Sequence, residues 1–80
     1  MGTYTTVKNR LLTLCEEKNI TINKLATESG VSPSTVKSIL YGKSKNPGIV
    51  TLKMLCDGLG VSITEFFGTD EFRNLEQEIK

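Results

Sequence analysis

Ser34, Lys37 and Ser38 stand three and four residues apart, so on a helix all three leave the same face. A lysine ammonium and two hydroxyls offer recognition by hydrogen bonding rather than the making or breaking of bonds. Lysine can donate to the O6 and N7 acceptors of guanine, whereas serine donates or accepts with less selectivity. Pro33, next to them, can only pack, for example on a thymine methyl. None of the four has the planar fork of Arg, Asn or Gln. Base discrimination by this set is therefore expected to lean also on DNA shape. The bland alternative is a helix face that merely meets water.

A face of this kind needs a helix held at the edge of the molecule, and Thr21–Ile39, TINKLATESGVSPSTVKSI, is built to supply one. Thr21 is a good N-cap, and Ile20 with Leu25 forms a hydrophobic staple across it. The helix it starts runs to about Ser29, where Gly30 can take the left-handed conformation that ends it. Ser32 caps the next helix, Pro33 suits its first position, and Val31 with Val36 repeats the staple. That helix ends at about Tyr41–Gly42. Leu25, Ala26, Gly30, Val31, Val36 and Ile39 are the residues the pair must bury or bend. Two short helices about a tight glycine turn, the second with a small polar face, form the layout that pushes a helix into the major groove.

The remaining elements are also helical. Val7, Leu11, Leu12, Leu14 and Cys15 predict a helix over about residues 5–18, and KSKNPG reads as a loop. Ile49, Leu52, Leu55, Cys56 and Leu59 mark a fourth helix, weakened by Gly58 and ending near Gly60. Ser62 caps a fifth, with Glu65 completing a capping box and Val61 packing towards Phe66. No segment alternates like a strand, and no internal repeat is present. Residues 1–68 thus read as one all-α domain, followed by an acidic helix or tail over 69–80. Phe72, Leu75 and Ile79 would line one stripe of a short sixth helix. Dimer contact, packing on the domain and fraying all remain open for that stripe.

Charge is unevenly placed along this 80-residue chain of net charge +1. No acid occurs between Glu28 and Asp57, yet Lys37, Lys43, Lys45 and Lys53 all lie there, so a polyanion could dock along the span without meeting a carboxylate. An ordinary lysine-rich surface would look the same by charge alone. Lys8, Arg10 and Lys24 add positive charge that the sequence does not aim. With no histidine and only two distant cysteines, there is no metal constellation and no nucleophile beside a base. Catalysis, a cofactor and a small-molecule ligand are not expected, and Cys15 and Cys56 are expected to be buried thiols. No apolar run approaches a membrane span and no leader is recognisable, so a cytoplasmic location is expected.

The run TINKLATESGVSPSTVKSILYGKSKNPGIVTLKMLCDGLGVSITEFF resembles the helix-turn-helix domain of the phage Cro and repressor type, the XRE family. Leu25-Ala26, Gly30-Val31-Ser32, Gly42-Lys43, Pro47, Thr51-Leu52 and Leu59-Gly60-Val61-Ser62 carry the likeness as a set, over roughly Val7–Phe67. The resemblance implies a compact five-helix, lambda-repressor-like domain, usually a homodimer on a two-fold symmetric double-stranded DNA operator. It implies that the helix over Pro33–Tyr41 enters the major groove, with Pro33, Ser34, Lys37 and Ser38 as base readers. It also implies that Thr21, Ile22 and Asn23 set the preceding helix against the backbone, and that the loop Lys43, Ser44, Lys45 and Asn46 grips phosphate. Thr35, beside Val36 and Ile39, is expected to be partly buried or phosphate-facing. Tyr41 is expected to place its hydroxyl on a phosphate while its ring covers the helix end.

Two positions depart from the family. Many members carry Gln where Ile22 stands, and Ile22 can offer a phosphate only its backbone N–H. Some phage repressors bury an Arg–Glu pair at the positions of Cys15 and Leu40; two apolar residues there avoid desolvating charge. The rival function is a protein-interaction or antitoxin-like adaptor module on the same scaffold, served by the acidic final segment.

Overall fold

The computed structural model describes residues 2–79, which form six helices with no strand among them. They are α1 (Thr3–Glu17), α2 (Ile22–Ser29), α3 (Pro33–Leu40), α4 (Ile49–Leu59), α5 (Ile63–Phe67) and α6 (Asp70–Arg73). The helix starts follow the caps written in the sequence. The Thr21 hydroxyl accepts from the Lys24 amide at 3.1 Å, and that of Ser32 from the Thr35 amide at 3.3 Å. Ser62 and Glu65 form a reciprocal box, at 3.0 Å to the Glu65 amide and 3.2 Å from the Ser62 amide. Gly30 and Gly60 end α2 and α4 at φ of 72° and 74°, a region that costs a side-chain-bearing residue.

One core joins α1 to α5. Leu11, Leu25, Val36, Ile39, Leu55, Cys56 and Phe66 are almost wholly removed from water, with Val7, Leu14, Cys15, Leu40, Leu52 and Leu59 close behind. Ile20, Val31 and Val61, the outer halves of the three staples, pack against the same cluster. Cys15 and Leu40 are both buried, so apolar residues at these two positions leave no charge to be desolvated there. Both cysteines are buried free thiols.

The sequence expectations need four corrections. Helix α1 begins at Thr3 rather than near residue 5, because the Gly2 carbonyl already accepts from the Thr6 amide and hydroxyl, each at 3.1 Å. Leu12 and Ile49, counted as apolar helix positions, are 43% and 62% exposed. Gly58 is no mere weakness of α4, since it lies where α4 meets Ser29 at the end of α2. Finally, Phe72, Leu75 and Ile79 do not form one helical stripe. Helix α6 ends at Arg73, after a single turn. Phe72 is half-buried, its ring centroid 4.8 Å from that of Phe67 and 5.9 Å from that of Phe66. Leu75 is half-buried and Ile79 is 86% exposed.

Candidate nucleic-acid interface

The buried side of α3 is Val36, Ile39 and Leu40, which leaves the opposite side to water. Pro33, Ser34 and Lys37 are exposed there and Ser38 is half-buried. Ser34, Lys37, Ser38, Tyr41 and Lys43 line one shallow hollow of about 290 Å³. Ser34, Lys37 and Ser38 on the helix, the exposed tyrosine at its end and the first lysine of the following loop thus share one surface.

The loop is folded back onto the helix it follows. Gly42 takes φ of 84°, which turns the chain so that the amides of Lys43 and Ser44 both donate to the Ser38 carbonyl at 2.9 Å. Lys43, Lys45 and Asn46 are then exposed and Ser44 is half-buried. Among the described residues, Lys37, Lys43 and Lys45 take part in no ion pair. Several of the other cations are engaged, while Lys8 and Lys18 also take part in no ion pair among the described residues. Lys24 pairs with Glu28 at 2.8 Å and Lys53 with Asp57, both along exposed helix faces. Arg10 points elsewhere, donating through Nε to the Phe66 carbonyl and through Nη2 to that of Glu65, each at 3.0 Å.

At the start of α3 the hydroxyls are partly engaged with one another. Ser32 Oγ lies 2.8 Å from Thr35 Oγ1 and 3.3 Å from Ser34 Oγ. Thr35 is exposed, so of the two expectations for it, partial burial or a phosphate-facing position, burial does not hold: its position on the helix turns it outward to the cap. At the start of α2, Thr21 uses its hydroxyl as the cap, Asn23 is exposed, and Ile22 is half-buried against the core. The first amides of a helix have no intrahelical acceptor, so the backbone of Ile22 and Asn23 faces outward as donors. No group of three or more metal-ligating side chains occurs among the described residues, and no helix among them is long and apolar enough to cross a membrane.

The profile of the Cro/C1-type HTH DNA-binding domain matches residues 10–71. The chain belongs to the Cro/C1-type helix-turn-helix family. This Cro/C1-type domain is similar to the HTH-type transcriptional regulator SlrR of Bacillus subtilis, at 40% identity over 55 residues, which covers 69% of this chain and 36% of SlrR. It is also similar to the HTH-type transcriptional repressor RghR of the same organism, at 40% identity over 52 residues, covering 65% of this chain and 38% of RghR. The chain thus spans little more than a third of the length of these two relatives. The crystal structure of prophage Lp1 protein 11 superposes with a TM-score of 0.80 at 36% identity, covering 94% of this chain and all of that one.

Two contacts of this Cro/C1-type domain have no sequence signal. Arg10 carries the same charge as the lysines yet serves as a tie between α1 and the end of α5. Tyr4 donates its hydroxyl to the Ile39 carbonyl at the end of α3, across 35 positions of chain. Neither pairing follows from local periodicity, because each partner is a backbone carbonyl that any residue would supply.

Proposed function

We propose that this chain is a small transcriptional regulator, of the repressor kind, that binds double-stranded DNA sequence-specifically with α3 in the major groove. In this reading Pro33, Ser34, Lys37 and Ser38 face base edges. Thr21, Ile22, Asn23, Thr35, Tyr41, Lys43, Ser44, Lys45 and Asn46 face phosphates, with Ile22 contributing its backbone amide alone. The observation that carries it is the one surface shared by Ser34, Lys37, Ser38, Tyr41 and Lys43, whose lysines take part in no ion pair among the described residues. Repulsion is absent from the same stretch, since no acid lies between Glu28 and Asp57. The proposed working form is a cytoplasmic homodimer on a two-fold operator. Leu75 and Ile79 offer its contact at the chain end, beside the already engaged Phe72.

Binding to duplex DNA across a salt series tests the proposal. Lys43→Ala/Lys45→Ala should weaken binding to all sequences and reduce the salt slope by about two, one per lost phosphate contact. Lys37→Ala should instead cost roughly tenfold or more on a selected operator and relax the preference at one base position. Binding indifferent to salt and to both variants would sink the DNA reading and favour a protein-interaction module.

A further inference from the structure

We propose that Tyr4 is a positioning residue for DNA recognition, fixing where the reading helix ends and the lysine loop begins. This rests on the DNA-binding reading above. The last carbonyls of a helix lack intrahelical donors and must find others. At the end of α3, Lys37 O takes the Tyr41 amide at 2.8 Å, and Ser38 O takes the amides of Lys43 and Ser44. These bonds all lie within one stretch of chain, so they can move together as a unit. The bond from Tyr4 to Ile39 O differs, because it comes from the first turn of α1.

The tyrosine hydroxyl also sits beside the turn that launches the loop. A Cβ added to Gly42 would lie 3.9 Å from it, in ordinary contact. Tyr4 therefore bonds the end of α3 and lies near the left-handed residue from which Lys43 departs. The bond is partly buried, which limits competition from water. Removing the hydroxyl would leave Ile39 O to solvent and free the junction to rock against α1.

Such freedom matters unequally for the two modes of DNA binding. Specific binding needs Ser34, Lys37 and Ser38 at base edges while Lys43 and Lys45 hold phosphates, and that joint geometry tolerates errors of only about half an ångström. Non-specific binding needs only the charge. Tyr4 should thus contribute to discrimination and little to bare affinity.

The test uses Tyr4→Phe, which keeps the ring and deletes the hydroxyl. Its probes are an operator selected from a random duplex pool by the wild-type protein, and an unrelated duplex. The operator Kd should rise about fivefold to tenfold, the effect of one lost hydrogen bond, while the Kd for the unrelated duplex stays within about twofold. Amide exchange of Lys43 and Ser44 should accelerate while that of Leu55 and Cys56 in the core does not. Thr5→Ala, a hydroxyl lost from the same turn that makes no bond to α3 among the described residues, should leave both constants unchanged. An unaltered operator Kd in Tyr4→Phe would overturn the proposal. Equal acceleration of the core amides with equal weakening on both duplexes would also overturn it, by showing a general stabilising contact. If the wild type retains no duplex at all, the DNA reading fails first and the positioning role falls with it.

Discussion

A Cβ built on Gly58 would lie 2.8 Å from the Cβ of Ser29 and 2.9 Å from its backbone nitrogen. Helices α2 and α4 therefore meet backbone to backbone at this point, and α4 is the element against which α2 packs most extensively. Alanine normally favours a helix interior over glycine by about 1 kcal/mol. Here that gain is outweighed, because the obstacle is backbone and cannot swing aside; overpacking of this kind typically costs ~1–3 kcal/mol or more. Gly58→Ala should lower the unfolding free energy by about 1–2 kcal/mol net, a fall in Tm of roughly 5–15 °C for a domain of this size. Thermal and urea unfolding check it. An unchanged or raised Tm would show that the two helices can separate at no cost.

Arg10 yields a prediction in which charge and shape come apart. Its two bonds satisfy the carbonyls of Glu65 and Phe66 at the end of α5, a helix of only five residues that its own ladder cannot hold. Arg10→Met keeps the stem and removes both donors. It should cost about 1–2 kcal/mol, in the lower part of the range for bonds to charged groups because one is exposed. Arg10→Lys should recover less than half of that, since a point ammonium cannot bridge two carbonyls as a guanidinium fork does. DNA affinity at temperatures well below unfolding should be nearly unchanged in both. A loss as large as that of Lys43→Ala/Lys45→Ala would place Arg10 in the interface instead.

Both thiols carry a pH dependence with a definite sign. Burial pushes Cys15 and Cys56 above the ordinary thiol value of 9.0, and the neighbouring Asp57 adds to the rise at Cys56. As pH climbs, the unfolded chain gives up these protons first while the native state retains them. Their contribution is thus full below about pH 9 and is lost as pH rises through the higher folded-state values. Urea midpoints should fall as pH rises above about 9, and Cys15→Ala/Cys56→Ala should show a shallower alkaline decline from a lower starting stability. Native protein should also react slowly with iodoacetamide near pH 8, because the nucleophilic thiolate is suppressed. A double variant with an undiminished alkaline slope would assign the effect to other groups.

What was legible in the sequence divides along physical lines. Thr21, Gly30, Ser32, Pro33, Gly60 and Ser62 act within one turn of themselves, so the caps and helix ends could be read locally, and the staples placed the core. The polar face of α3 followed from the same locality, since Ser34, Lys37 and Ser38 need only the helical period to be brought together. Gly58 misled because its local cost is visible while its benefit lies in a neighbour 29 positions away, Ser29. Arg10 and Tyr4 act on carbonyls of distant segments, and no side-chain pattern marks those acceptors. Thr35 is exposed rather than partly buried because adjacency to Val36 says little on a helix, where neighbours in sequence point about 100° apart.

The chain end separates a packing role from an association role. Phe72 closes a cluster with Phe66 and Phe67, edge to face in its contact with Phe67 at 69°, and it is the anchor that a one-turn α6 requires. Phe72→Ala should therefore destabilise the monomer by about 2 kcal/mol, below the range for a wholly buried phenylalanine because this one keeps some exposure. Ile79 stands at the other extreme, 86% exposed with its stability contribution close to nil. Its value would come only from contact with a second copy, as the proposed homodimer requires. Ile79→Glu should leave Tm of the dilute protein unchanged while raising the dimer dissociation constant about tenfold, since a desolvated carboxylate at an apolar contact is costly. Sedimentation across a concentration series measures that shift. If Phe72→Ala and Ile79→Glu both leave association untouched, the two-fold contact lies on another face, and the exposed Ile49–Val50 pair at the start of α4 is then the first place to substitute.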